Sequence, residues 1–318
     1  MKNGLLSLAL LAGCLMLYPS NTYADSIITD VVGYEEYENA DYSYVILEDD
    51  TVQLIKYIGK EIVVNVPEEI DGHVVAELGI GTFVSNKTIS DISLPNTLTK
   101  VVGTSFEGCE NLHTISVNPQ NPELVMDNNT LYSKSDKRLV WHSGALNEKD
   151  FAIPEGIEII GAGAFYQNRN LETVSIPETV SVIENDAFYG CYSLSSILLP
   201  DSITEIGIRS FYYCKGATEI ELSKQLSIIP KMAFSNCEKL VSIDIPESVT
   251  EIADKAFMSC SGLTSIIIPP SVTVFGEQIF EKTSYGLTIT VTAGSEAEKY
   301  CSERNVSYIY ADNMDWLS

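Results

Sequence analysis

Five of the seven cysteines recur in one register of the chain. Cys191, Cys214, Cys237 and Cys260 are 23 residues apart, and Cys109 shares with them a position three residues after a phenylalanine. If the chain forms a stack of equal coils, this spacing lines the sulfurs up and brings adjacent Cα atoms to roughly 5–6 Å, which a disulfide can span. Buried free thiols, disulfides and metal ligands are therefore the three chemistries to weigh.

The same column also holds Asn and Thr, which argues for a structural role. Thr283 stands at this position in the last unit. A zinc site needs ligands that converge to about 2.0–2.3 Å from one ion, whereas a ladder spreads its sulfurs along a line. The column predicts buried free thiols and no metal site, with some disulfide formation left open. The predicted structural ladder comprises Asn86, Cys109, Asn168, Cys191, Cys214, Cys237 and Cys260.

Catalytic residue sets are not evident elsewhere. His73, His113 and His142 are the three histidines, and none has a nucleophile or carboxylate at a recognisable catalytic spacing. Each falls on a predicted loop, strand surface or hairpin, so all three are predicted to lie at the surface. A glycosidase needs two carboxyl groups roughly 5–9.5 Å apart in a cleft, which a regular stack of coils does not provide. We therefore predict a protein that is not an enzyme and binds no cofactor.

The elements that position these residues follow from a repeat. Eight of the ten phenylalanines share a 23-residue register, with one step of 59 residues. In most units L-x-x-I-x-I alternates as a strand with one buried face, and proline follows where that strand must end. The I-x-x-I-G-x-x-A-F part then returns the chain as a turn or short helix. Because no coil can bury its own apolar stripe, the coils must stack. The register phenylalanines are Phe83, Phe106, Phe165, Phe188, Phe211, Phe234, Phe257 and Phe280.

Interruptions of the repeat define the expected domains. Residues 25–66 predict an N-terminal hairpin cap that covers the first edge of the sheet. The solenoid spans 67–292, and its 36 extra residues, at about 118–152, predict a hairpin that projects from the side. Residues 293–318 form a C-terminal cap, with Ser295 as the N-cap of a short helix.

The N-terminus has the layout of a secretory signal peptide over residues 1–24. Lys2 is followed by an apolar run and then by small residues, with Ala24 and Asp25 flanking the expected cleavage site. The alternative is a lipobox, in which Cys14 is lipidated and anchors the protein. No later apolar run approaches the roughly 18 residues of a membrane span. A secreted or cell-surface location is expected under either alternative.

The formal net charge of −25 excludes some partners. Acidic residues outnumber basic ones 44 to 19. Such a surface repels phosphate backbones, so nucleic acid is an improbable ligand class.

The outward face of the strands remains as the candidate binding surface. It is small, rich in hydroxyl groups and partly acidic, with isolated apolar points, which suits a protein or glycan partner. A solvated face without a ligand is the alternative. The candidate partner-binding residues are Ser175, Ser196, Leu198, Glu219, Glu221, Ser242, Asp244 and Ile267.

The unit LETVSIPETVSVIENDAFYGCYS, residues 171–193, resembles the 23-residue leucine-rich repeat of BspA-like bacterial surface proteins. The resemblance extends over about 67–292 and includes the LYSKSDKRLV segment. It implies an α/β solenoid, a right-handed array of about eight coils with a parallel sheet. It also implies an exported adhesion protein that binds an extracellular or host protein or a glycan. Self-association as a structural surface component is the alternative function.

Overall fold

The computed structural model describes residues 33–101, 104–144 and 148–311. Cys14, Ala24 and Asp25, on which the export and lipidation predictions depend, lie outside the described residues. In chain order the elements are β1 Glu36–Glu38, β2 Tyr42–Ile46, β3 Val52–Tyr57, β4 Val63–Asn65, β5 Glu69–Ile70, β6 His73–Leu78, β7 Asp91–Leu94, β8 Lys100–Val101, β9 Thr114–Val117, β10 Leu124–Asp127, β11 Thr130–Ser133, β12 Arg138–His142, β13 Asp150–Ala152, β14 Ile159–Ile160, β15 Thr173–Ser175, β16 Val182–Ile183, β17 Ser196–Leu198, β18 Glu205–Ile206, β19 Glu219–Glu221, β20 Ile228–Ile229, β21 Ser242–Asp244, β22 Glu251–Ile252, β23 Ser265–Ile267, β24 Val274–Phe275, β25 Thr288–Val291, α1 Glu296–Arg304 and β26 Tyr308–Tyr310.

The chain folds as a solenoid of stacked parallel coils, as predicted. Each coil contributes one strand of three or four residues to a long-strand side and one of two residues to a short-strand side. On the long-strand side, parallel pairing runs β4-β7-β9, β13-β15, β17-β19 and β21-β23-β25-β26. On the short-strand side it runs β14-β16-β18 and β20-β22-β24. Residues 23 apart are direct partners, as Ile197 and Ile220 are, so the sequence period sets the register.

The register phenylalanines form a continuous stack in the core. Phe165 and Phe188 have ring centroids 4.8 Å apart and nearly parallel planes, and the spacing widens to 6.0 Å between Phe257 and Phe280. The rings from Phe165 to Phe257 are almost completely buried. Each coil thus seals the apolar surface of the coil before it, which is the physical reason why the coils stack.

The third side of each coil, here called the turn side, carries the phenylalanine in a non-helical backbone. Residues two before and two after the ring are left-handed, as Asp186 and Gly190 are around Phe188. The N–H groups of these three residues donate to carbonyl oxygens of the next coil. The return segment is therefore a turn. A short helix, the other predicted form, does not occur there, since this backbone bonds between coils rather than within itself.

The 36-residue insertion lies within the stack, so the prediction that it projects from the side was wrong. β10, β11 and β12 pair antiparallel, and β12 then pairs parallel with β14 of the short-strand side. Trp141 meets Phe106 at 6.1 Å, and Phe151 meets Phe165 at 5.6 Å. These aromatic rings continue the phenylalanine stack where the repeat is interrupted.

Two further elements close the ends of the array. β3 pairs with β6, so the N-terminal hairpin joins the short-strand side, while the described long-strand side begins at β4. At the other end, Ser295 caps α1 as predicted, and its hydroxyl accepts a hydrogen bond from the Glu298 N–H at 3.3 Å. Tyr300 of α1 packs against Phe275, with ring centroids 4.7 Å apart.

Candidate functional site on the long-strand face

Strand alternation builds the candidate surface, here called the long-strand face. In β19, Ile220 points inward and is buried, while Glu219 and Glu221 on either side are exposed. The parallel register aligns Ser196 with Glu219 and Leu198 with Glu221. The outward positions therefore form two columns that run along the stack.

One column carries the chemistry that distinguishes this face. Leu198, Glu221, Asp244 and Ile267 occupy it in four consecutive coils, and adjacent strands of a sheet lie roughly 4.8 Å apart. The two end residues are large apolar side chains with 47% and 46% of their surface exposed. Asp244 and Ile267 are direct partners in the ladder. An apolar residue thus stands at each end of a pair of carboxylates.

The carboxylates of this face lack cationic neighbours within the described part of the chain. None of the ion pairs found there includes Glu219, Glu221 or Asp244. A lysine on the same side, Lys149, is already paired with Glu172 at 2.7 Å. Like charges in adjacent coils repel one another, and this repulsion is relieved when a cationic group approaches.

The remaining predicted residues lie on the same face. Ser175 and Ser242 are exposed, and Ser196 is half-buried beside Leu198. The structure therefore brings all eight candidates onto one face over five consecutive coils. It does not gather them into a cleft, because the parallel register holds them in two straight columns.

Sequence reasoning missed Val241, which is 54% exposed just before β21. Other coils have serine or threonine at this position, and those hydroxyls bond to the preceding coil. Ser195 donates to the Glu172 carbonyl at 3.0 Å, and Thr264 donates to the Val241 carbonyl at 3.3 Å. The signal was available in the sequence, since a valine in a hydroxyl column cannot make this bond and is not needed for the core.

The cysteine ladder is buried beneath the turn side. Each Sγ donates to the carbonyl oxygen of the phenylalanine one coil earlier, at 3.2 Å from Cys191 to Phe165 and 3.1 Å from Cys260 to Phe234. Burial raises the pKa of the Cys260 thiol to about 12 and that of Cys191 still further. All six cysteines of the described residues are free thiols. Protonated thiols in these positions pack and donate hydrogen bonds, and they are poor nucleophiles.

Asparagine serves the same column in another way. The Asn86 side-chain oxygen accepts from the backbone N–H groups of Thr88 and Ile89, at 2.9 and 3.0 Å. Among the residues that the structure describes, no three or more His, Cys, Asp or Glu side chains cluster where they could hold a metal ion.

The prediction of surface histidines was wrong for His142. Its imidazole is buried against Phe151, with ring centroids 4.2 Å apart, and its Nδ1 lies 2.8 Å from the Thr130 hydroxyl. Burial lowers the pKa of His142 to about 4. The error arose because the hairpin was expected to project, whereas pairing of β12 with β14 draws it into the core. His113 is exposed, and His73 is half-buried beside Asp50 at 3.0 Å.

These features define a non-globular display protein, a solenoid whose residues form open faces rather than a pocket of reactive groups. The model of the BspA type leucine rich repeat region matches residues 72–135 and 158–288 in six copies. This is more than half of the chain, which therefore belongs to the BspA-type leucine-rich-repeat family. No curated protein sequence matches the chain significantly.

Solved structures show the same fold. A leucine-rich repeat protein from Eubacterium ventriosum is similar with 17% identity and a TM-score of 0.55, over 77% of this chain and 94% of that one. A leucine rich cell surface protein from Faecalibacterium prausnitzii has 20% identity and a TM-score of 0.35, over 84% and 97% of the two chains. The pneumococcal vaccine antigen PcpA has 12% identity and a TM-score of 0.41, over 87% and 98%.

A search of the described residues finds no helix with the length and apolarity needed to cross a membrane.

Proposed function

We propose that this chain is an exported bacterial surface protein that binds an extracellular protein through its long-strand face. Membership of the BspA-type family supports a binding role at the cell surface. The N-terminal pattern around Lys2, Ala24 and Asp25 supports export, and Cys14 offers lipid anchoring as the alternative to cleavage.

The observation that carries the proposal is the column formed by Leu198, Glu221, Asp244 and Ile267. Nearly half of each apolar side chain is exposed although the rest of the ladder buries its large apolar groups. The carboxylates between them have no ion pair among the described residues. Burial of the apolar ends contributes roughly 25 cal/mol per Å², and a partner's basic group in the middle supplies specificity.

The arrangement fits a non-catalytic role. The acidic groups follow a straight column rather than facing each other across a cleft, so they cannot act as an acid and a base on one bond. A cationic patch flanked by apolar residues on a host or extracellular protein is the complementary surface. A glycan partner would use the same carboxylates as hydrogen-bond acceptors, without the apolar contacts dominating.

The test is a screen of extracellular protein and glycan panels against purified protein that begins at Asp25. A bound protein should be lost with the double variant Glu221→Gln/Asp244→Asn, and binding should weaken with Leu198→Ser or Ile267→Ser. Matched controls are Glu247→Gln, an exposed acid outside the column, and Ile228→Ser, an equally exposed apolar residue on the short-strand side. Binding that the column variants and the controls reduce equally would contradict the proposed face.

A further inference from the structure

The turn side ends in a row of unpaired backbone donors. In each of the five coils from Phe165 to Phe257, the phenylalanine and the residues two before and two after it donate their N–H groups to the next coil. In the coil of Phe257, for example, Lys255, Phe257 and Ser259 donate to carbonyls of 277, 279 and 281 at 2.9, 3.1 and 2.7 Å. The coil of Phe280 is the last one with this register, so its donors have no following coil.

The last coil keeps the donor geometry without the acceptors. Gln278 and Lys282 are left-handed, with φ of 56° and 58°, as the matching residues of the earlier coils are. Among the described residues, nothing accepts a hydrogen bond from the N–H of Gln278, Phe280 or Lys282. The Phe280 residue is only 9% exposed, so its amide lies where water has limited access. An unpaired amide in such a place is costly, and an acceptor stabilises it.

An open cavity of about 680 Å³ lies against this row. Phe280 and Lys282 line it together with the hydroxyl-bearing side chains of Ser261, Thr283 and Ser284. Tyr285, which is fully exposed, forms another part of its wall. The cavity therefore combines backbone N–H donors, hydroxyl donors and one ammonium group.

Such a set of donors matches an oxyanion. Successive N–H groups in alternating left- and right-handed backbone form a concavity that binds anions. Lys282 supplies the positive charge at the cavity, and Glu281 beside it is the nearest uncompensated acid in sequence. Glu277 is held by Arg304 at 3.3 Å, which limits its repulsion of an incoming anion.

A second copy of the chain fits the row less well. Head-to-tail stacking would require a free row of carbonyls on the turn side of the first coil. The Thr82 carbonyl there already accepts from the Tyr57 N–H at 2.7 Å, because the N-terminal hairpin covers it. The complementary edge is thus occupied within the chain, whereas a small oxyanion needs no such edge.

We propose that the N–H groups of Gln278, Phe280 and Lys282, with the Lys282 ammonium, form an oxyanion-binding site at the C-terminal end of the turn side. The ligand is a sulfate, phosphate or carboxylate group, and the size of the cavity leaves room for the molecule that bears it. This site is separate from the long-strand face and does not depend on what that face binds.

The test is a titration of the protein with sodium sulfate, phosphate and acetate, followed by backbone amide NMR at constant ionic strength with chloride as the reference. We expect saturable downfield shifts of the 278, 280 and 282 amides with at least one oxyanion, at a Kd on the order of millimolar. The three anions distinguish the sources of the oxyanion group.

Variants separate a built site from general charge attraction. Lys282→Glu should weaken binding at least about tenfold, since it replaces attraction by repulsion at the same place. Lys56→Glu, the same charge change on the exposed side of β3, should leave the affinity unchanged. Thr283→Val and Ser284→Ala give milder losses if Lys282→Glu alters the fold.

The absence of saturable amide shifts with all three anions would overturn the proposal, as would equal weakening by Lys282→Glu and Lys56→Glu. The Glu221→Gln/Asp244→Asn variant should bind the oxyanion as the wild type does. Failure of the long-strand face proposal and failure of this one are therefore distinguishable.

Discussion

The carboxylate of Asp186 lies 2.8 Å from the guanidinium of Arg209, and the two residues hold the same turn-side position in consecutive coils. Asp186 is completely buried and Arg209 nearly so. The guanidinium also lies 6.0 Å from the Tyr189 ring. Burial raises the pKa of Asp186 to about 6, although the charge of Arg209 and its hydrogen bond oppose the rise.

Removal of one partner should destabilise the protein strongly. Arg209→Met leaves the Asp186 carboxylate buried without a counter-charge, and we expect a loss of about 3–5 kcal/mol at neutral pH. Asp186→Leu/Arg209→Met should recover most of that loss. Urea denaturation of the three proteins measures the difference. Equal stability of the double and the single variant would show that packing, rather than charge, is the cause.

The same pair predicts a pH dependence for the Arg209→Met variant. A carboxyl group whose pKa is raised on folding favours the folded state at low pH, and this contribution is lost as the pH rises through the folded pKa. Without Arg209, protonation of Asp186 removes the buried charge. The loss of stability should therefore be smaller at pH 5 than at pH 8, and a larger loss at pH 5 would contradict this account.

His142 predicts the opposite trend. Its pKa falls from 6.5 to about 4 on folding because of burial, while Glu148 lies 3.6 Å from Nε2. A lowered pKa contributes stability above the unfolded value, and the contribution is lost as the pH falls from 6.5 towards 4.

The loss attributable to His142 should reach about 3 kcal/mol across that window, at 1.36 kcal/mol per pKa unit. His142→Gln should flatten the pH profile of the unfolding free energy between pH 6.5 and 4. His113→Gln, at an exposed position, is the control and should keep the wild-type slope. Parallel profiles for all three proteins would remove His142 as the cause.

The phenylalanine stack predicts a gradient of mutational cost along the solenoid. Phe234 contacts rings on both sides, at 5.5 and 5.7 Å, and is completely buried. Phe234→Ala should cost about 3–5 kcal/mol through lost transfer energy and a cavity. Phe280→Ala should cost less, because that ring ends the stack. Thermal and urea unfolding of both variants tests the order, which an equal cost at the two positions would contradict.

The cysteine ladder predicts thiols that react only after unfolding. Burial raises the pKa values of Cys214 and Cys237 well above 9.0, so the reactive thiolate is scarce in the folded protein. Ellman titration of protein beginning at Asp25 should find the five ladder thiols unreactive in buffer. In denaturant without reductant, all six thiols should react. A lower count in denaturant would indicate disulfides.

The 23-residue period by itself determined most of the solenoid. It set which residues point inward, as Ile220 does between Glu219 and Glu221, because alternation in a strand is a local property. The period also set the register, since partners one repeat apart are equivalent in every coil. The eight candidate face residues followed from the same alternation, whereas Val241 was missed because it stands outside the strand pattern.

Tertiary structure alone decided where the irregular segments lie. The insertion had two strand partners available by its sequence pattern, and pairing of β12 with β14 buried His142 where a surface position was expected. The left-handed backbone on the turn side, at residues such as Met232 and Lys255, is likewise not written in residue type. These outcomes depend on bonds between coils, which local propensity does not specify, and they also leave the amides of Gln278, Phe280 and Lys282 without a coil to follow.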